Sequence, residues 1–185
     1  MEEIILVNEH VVLRPFEPGD KPNLVRYLND LTVYRNTLTI PHPYTEADAD
    51  KWFELMRKTR EKYEFLCNWA LYHAEAGVIG GIGMCMRTGK DGHKDEIGYW
   101  LAEPFWGRGI TTEALVAVTR LAIETHGLTR VYALPFAWNI GSCRVLEKAG
   151  YVLEARLRQS AIKDGRVTDQ MQYAFIPPLP PPALR

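Results

Sequence analysis

The stretch Trp106-Gly107-Arg108-Gly109-Ile110-Thr111-Thr112-Glu113-Ala114 has the residue types of an anion cradle. Two glycines punctuate a short loop, and an apolar helical pattern begins directly after it. A strand-like run, Glu96 to Ala102, stands just before. Strand, glycine loop and helix start together aim several backbone N–H groups at one place. Those unpaired donors and the positive end of the helix dipole favour a phosphate there. The pattern therefore predicts a phosphorylated cofactor.

Two widespread phosphate loops are excluded. A Walker-type loop needs G-x-x-x-x-G-K-[ST], and Gly109 is followed by Ile110 and Thr111. The dinucleotide fingerprint needs a third glycine, and position 112 is Thr112. Gly80-Gly81-Ile82-Gly83 is also glycine-rich. It lies inside the apolar run Val78 to Met86, which reads as a bulged or closely approached strand. Asn139-Ile140-Gly141-Ser142 is an N-x-x-S at a helix start, where Asn139 caps. Cys143 follows, and a helix N-terminus lowers a thiol pKa. No histidine is placed to pair with it, so a packed thiol is expected. The five histidines show no metal spacing such as H-E-x-x-H.

The elements that must position these residues read as an α/β chain. Val11 to Phe16 is a first strand. Asp20 caps a helix through Leu24, Val25, Leu28 and Leu31, and a proline-punctuated loop spans Arg35 to Tyr44. Thr45 starts a second helix, with Asp48 in a capping-box position and Ala49, Trp52, Phe53 and Met56 on the apolar face. Strands follow at Asn68 to Tyr72, Val78 to Met86 and Asp95 to Ala102, with a polar turn over Thr88 to Lys94. A helix from about Thr111 to Thr125 is apolar nearly all round, and His126-Gly127 stops it. Arg130 to Phe136 is a strand, and the helix from Asn139 ends at Gly150. Tyr151 to Ile162 turns at Asp164-Gly165 and returns as Thr168 to Ile176. The expectation is one domain over residues 1–176, with a mixed sheet carrying helices on its faces. A proline-rich tail occupies residues 177–185.

The chain has 185 residues, 46% hydrophobic and 24% charged. That composition is ordinary for a globular protein. A formal net charge of −1 offers no basic field for nucleic acid. Three cysteines without a C-x-x-C pair predict reduced thiols and a cytoplasmic setting. The start at Met1-Glu2-Glu3 has no signal-peptide pattern, and no apolar run is long enough to cross a membrane.

Three blocks in order carry a resemblance. They are Glu96-Ile97-Gly98-Tyr99-Trp100-Leu101, then Phe105 through Leu115, then Asn139-Ile140-Gly141-Ser142-Cys143-Arg144-Val145-Leu146-Glu147-Lys148-Ala149-Gly150-Tyr151. Together they resemble the GNAT N-acetyltransferases, and within them the RimJ/RimL branch, which acetylates ribosomal-protein N-termini and includes relatives of other specificity. Pro41 to Thr45, with Trp52 downstream, is similar to that branch's early helical region. The family's [QR]-x-x-G-x-[GA] here reads Trp106-Gly107-Arg108-Gly109-Ile110-Thr111, so a β-branched residue stands at the small last position.

The resemblance implies the GNAT fold, a mostly antiparallel central sheet in which two parallel strands splay apart. It implies acetyl-CoA as donor and a primary amine as acceptor: a peptide N-terminus or a small-molecule amine. Trp100, Leu101 and Ala102 would line the pantetheine, and Trp106, Gly107, Arg108, Gly109, Ile110, Thr111 and Thr112 would hold the pyrophosphate. Asn139 and Ser142 would touch the cofactor, with Ser142 near the departing sulfur as the catalytic acid. Alternation puts Glu96, Gly98 and Trp100 on one strand face, and Glu96 is the candidate general base, directly or through water. Tyr34, Arg35, His42, Tyr44 and Trp138 are candidate borders of an acceptor pocket, and each also reads as an ordinary loop or packing residue. A homodimer is left open. The alternative reading is a non-catalytic acyl-CoA-binding module on the same fold.

Overall fold

The computed structural model describes residues 4–86 and 92–178. The expected turn over Thr88 to Lys94 falls for the most part, and the proline-rich tail from residue 179 on, outside the described residues. In chain order the elements are β1 (Ile5–Leu6), β2 (Val11–Arg14), α1 (Lys21–Leu28), α2 (Leu31–Asn36), α3 (Glu46–Tyr63), β3 (Asn68–His73), β4 (Gly77–Met84) and β5 (Lys94–Leu101). Then come α4 (Ile110–Glu124), β6 (Arg130–Ala133), α5 (Ile140–Lys148), β7 (Val152–Lys163) and β8 (Arg166–Phe175). The strands form one sheet in the order β1-β2-β3-β4-β5-β6-β8-β7. Neighbours are antiparallel except β5 and β6, which run parallel.

Two hydrophobic layers cover the sheet. On one face Leu24, Leu28, Val33 and Ala49 from α1–α3 pack with Ala70, Val78 and Trp100. On the other, Leu115 and Val118 of α4 and Leu146 of α5 pack with Leu71, Ile79, Ile97, Leu101 and Val131. β5 serves both layers by alternation. Ile97, Tyr99 and Leu101 face α4 and α5, while Trp100 faces α1–α3, and Glu96 and Gly98 share its side.

Local signals explain most element boundaries. Thr45 Oγ1 accepts from the Asp48 N–H, and Asp48 Oδ2 accepts from the Thr45 N–H. This closes the capping box on α3. Asp164 and Gly165 have φ of 51° and 73°. Two positive φ values are what a two-residue hairpin with the sheet's twist requires. In β4 the glycines answer to close approach. A Cβ on Gly83 would lie 2.1 Å from Asn68 Oδ1, and one on Gly81 2.8 Å from Trp100 Nε1.

Asp20 is a correction. Its carboxylate makes no cap bond to α1. It instead accepts from Arg14 Nη1 and Nη2, at 2.9 and 2.6 Å, and from the Glu17 N–H. A carboxylate this buried needs its charge matched, and that outranks a cap. The helix also ends at Leu28, not Leu31. Asp30 opens α2, its Oδ1 accepting from the Thr32 and Val33 N–H groups, which draws Arg35 and Asn36 out of the expected loop.

Candidate active site

The parallel pair separates early. β5 and β6 are in register over Lys94↔Arg130, Asp95↔Val131 and Glu96↔Tyr132, and no further. The β4–β5 ladder continues without a shift to Gly80↔Leu101. Cys85 N–H donates to Glu96 O and Ala102 N–H donates to Ile79 O, both at 2.8 Å. The even-numbered residues of β5 therefore turn their backbone groups to β4, and the odd-numbered ones turn theirs to the β6 side. Among the described residues that side has no strand partner beyond Glu96, so Tyr99 and Leu101 present backbone groups to a wedge-shaped opening. Of the three residues expected along the pantetheine, Leu101 has its backbone there, while Trp100 pairs with β4 and Ala102 gives its N–H to β4 and its carbonyl to the Phe105 N–H. Sequence reasoning does not reach Tyr99, because alternation gives two phases and only a hydrogen bond to β4 selects one.

The glycine loop closes the wide end of this wedge. Trp106 donates its indole N–H to Leu101 O at 2.7 Å, which ties the loop to the end of β5. Gly107 and Gly109 have φ of 74° and 80°. Side chains with a Cβ rarely adopt such conformations. Gly109 is the N-cap of α4 and supplies no side-chain cap. The first-turn N–H groups of Ile110, Thr111 and Thr112 are thus uncapped at the start of a 15-residue helix. That is the positive end of the helix dipole. These donors suit a pyrophosphate. The Arg108 side chain takes another course: its Nη2 donates to Pro104 O at 3.0 Å and its guanidinium lies over the Phe105 ring.

α5 begins on the α4 side of the opening. Asn139 Oδ1 accepts from the Ser142 N–H at 3.1 Å, the expected cap. Ser142 Oγ lies 2.7 Å from the Tyr99 hydroxyl. Cys143 is buried, and burial pushes its thiol up, so it sits as a packed core thiol. Glu96 is on the opposite, α1–α3 face of β5, next to Gly98, whose missing side chain leaves room as far as Cys85 Sγ. The wedge therefore has a carboxylate on one face and a hydroxyl on the other.

The five expected acceptor-side residues do not gather in one place. Tyr34 packs on His42, donates its hydroxyl to Asp164, and holds Lys163 Nζ 3.5 Å from its ring centre. Tyr44 is buried in the α1–α3 layer, its phenol pushed up to about 12 by burial, and borders nothing open. Arg35 is exposed, and Trp138 is exposed over half its surface and stacks on Phe136. Sequence reasoning does not reach Lys163 and Asp164 either, since nothing in sequence links them to a residue 130 positions earlier. Among the described residues no cluster suits a metal, and no helix is long and apolar enough to cross a membrane.

Residues 10–152 match the acetyltransferase (GNAT) domain family. The chain belongs to the GNAT acetyltransferases. It is 28% identical over 178 residues to the Bacillus subtilis protein named "Putative ribosomal N-acetyltransferase YdaF", covering 92% of this chain and 93% of that one. The ribosomal-protein-S5-alanine acetyltransferase of Vibrio fischeri shares its fold with a TM-score of 0.82 at 19% identity, over 94% of this chain and 96% of the other. RimL, a ribosomal L7/L12 α-N-protein acetyltransferase solved with coenzyme A, does so with a TM-score of 0.78 at 20% identity, over 94% and 98%. This GNAT protein is an acetyl-CoA-dependent N-acetyltransferase, and acetyl-CoA is its donor. The relatives are acetyltransferases, and nothing among them supports a non-catalytic acyl-CoA-binding module.

Proposed function

We propose that this enzyme acetylates the α-amino group of a protein or peptide N-terminus by direct attack, with Glu96 as general base and Ser142 as the donor to the departing sulfur. The observation that carries the reading is the wedge between β5 and β6, with Glu96 on one face and Ser142 on the other. Acetyl-CoA supplies an activated thioester when bound. The N–H groups of Ile110, Thr111 and Thr112 hold its pyrophosphate, with Gly107 and Gly109 shaping the turn. Tyr99 and Leu101 bond its pantetheine arm through their backbone, and Trp106 and Asn139 fix the two ends of the channel. Positioning of this kind supplies much of the acceleration in acyl transfer.

The amine enters from the α1–α3 face, its nitrogen lone pair forms the new C–N bond at the thioester carbonyl carbon, and its proton passes to Glu96, directly or through one water. As the carbon–sulfur bond breaks, the electron pair stays on sulfur and the Ser142 hydroxyl donates to it. Magnitudes favour an α-amine. Freeing an amine of pKa about 10.4 at neutral pH costs about 4–5 kcal/mol, whereas one of about 7.7–8.0 costs about 1 kcal/mol. A half-buried carboxylate suits the smaller task. Similarity to YdaF over nearly both full lengths supports a ribosomal-protein-type acceptor.

The test is labelled acetyl-CoA with cellular peptides carrying free or blocked α-amines, read by mass spectrometry. Label on free N-termini, with a rate that rises with pH and levels near about pH 8, is the expected result. Label confined to lysine side chains or to small amines overturns the peptide N-terminal reading.

A further inference from the structure

Ser142 does not stand alone at the start of α5. Tyr99, from β5, brings its hydroxyl oxygen to 2.7 Å from Ser142 Oγ and to 3.4 Å from the Ser142 carbonyl oxygen. A phenol packed against the core, as Tyr99 is, finds an acceptor for its proton. Bonds of the O–H···O type cluster near about 2.7–2.8 Å and thin out beyond about 3.0 Å. Either hydroxyl of the 2.7 Å pair can donate; with Tyr99 as donor, Oγ rather than the carbonyl oxygen at 3.4 Å is its acceptor. Burial also pushes the Tyr99 phenol up, so the proton stays on it.

The consequence falls on the serine. A hydroxyl has one hydrogen and two lone pairs. With one lone pair engaged by Tyr99, the Ser142 hydrogen turns away from the α4–α5 layer. Its backbone N–H is already given to Asn139 Oδ1. The other hydroxyl near Tyr99, that of Tyr151, is paired with Thr119 at 2.6 Å. Cys143, next along the helix, keeps its proton because burial raises its thiol.

We infer that Tyr99 is a positioning residue for acetyl transfer: by donating to Ser142 Oγ it directs the serine hydrogen into the β5–β6 wedge, where the sulfur departs. The inference rests on the proposed role of Ser142 as donor to that sulfur. Tyr99 touches neither reacting atom through its side chain. It acts through Ser142, and its effect vanishes when Ser142 is gone.

The experiment is a double-mutant cycle on the full chain, with Tyr99→Phe, Ser142→Ala and the double variant. Steady-state kinetics use acetyl-CoA and a peptide with a free N-terminus, with rates expressed per CoA-binding site so that a misfolded fraction does not count. The expected result for Tyr99→Phe is a kcat about threefold to tenfold lower, the worth of one hydrogen bond, with KM for acetyl-CoA held within about twofold. The double variant is then no slower than Ser142→Ala alone. An unchanged kcat in Tyr99→Phe, or single effects that multiply in the double variant, overturns the inference. A second reading needs no acceptor: the thiol of bound coenzyme A is titrated by its thiolate absorbance, with the desulfo-CoA complex as blank. Its pKa is lowest in the unsubstituted protein and equally raised in both single variants. One shared value in all three proteins overturns the inference, whether or not any peptide is acetylated. A protein that shows the titration but acetylates no peptide instead fails the proposed function.

Discussion

The donor side and the acceptor side of this molecule are built from different materials. The donor side is mostly backbone: the uncapped first turn of α4, two glycines at positive φ, and the odd-numbered edge of β5. The acceptor side, as proposed, draws on side chains; Tyr34 of α2, one candidate for it, meets Lys163 and Asp164 of the distant β7–β8 turn. Backbone donors bind what every member of a fold binds, because peptide groups are alike at every position. Side chains set what differs. A shared donor and a variable acceptor are thus written in two chemical languages within one sheet.

Substitutions can break or sharpen that contrast. The largest effect is expected from Glu96→Gln, the one acceptor-face group assigned to proton transfer. Its kcat should fall about 100-fold, the low end for a positioned general base, while calorimetry finds coenzyme A bound as before. Loss of coenzyme A affinity in this variant would erase the division between the two sides. Gly109→Val comes next. Gly109 has a φ of 80°. Holding a residue with a Cβ in left-handed backbone costs about 1–2 kcal/mol. The Kd for coenzyme A should therefore rise about tenfold, while KM for the peptide stays within about twofold. The smallest effect belongs to Tyr34→Phe, which removes the hydroxyl bonded to Asp164 on an exposed surface. KM for the peptide is expected to rise about twofold to threefold, in line with about 0.5 kcal/mol for one exposed hydrogen bond, with acetyl-CoA kinetics unchanged. Movement of the acetyl-CoA KM instead would put the β7–β8 turn on the donor side.

Much of the donor side is legible in the sequence because glycine and capping residues report backbone conformation directly. Gly107 and Gly109 announce a turn, Asn139 announces the start of α5, and Asp164-Gly165 announces the hairpin. Each rests on contacts within a few residues. The misreadings involve longer reach. Asp20 has the residue type of a cap, yet Arg14 takes its carboxylate. At Tyr44 residue type alone leaves a pocket border and a packing role open, and burial in the α1–α3 layer decides for packing.

The sequence by itself determined the family, the donor, the order of the elements and the alternation that puts Glu96 and Trp100 on one face of β5. The order of the elements and the alternation follow from local conformational preference and from the period of a strand, and the family and the donor from the resemblance carried by the three sequence blocks. Tertiary structure alone decided which phase of β5 faces the wedge, where the parallel pair lets go, and that Tyr99 meets Ser142 across 43 positions. Those outcomes depend on which partner each backbone and side-chain group finds once the sheet has closed, and no spacing along the chain encodes that choice.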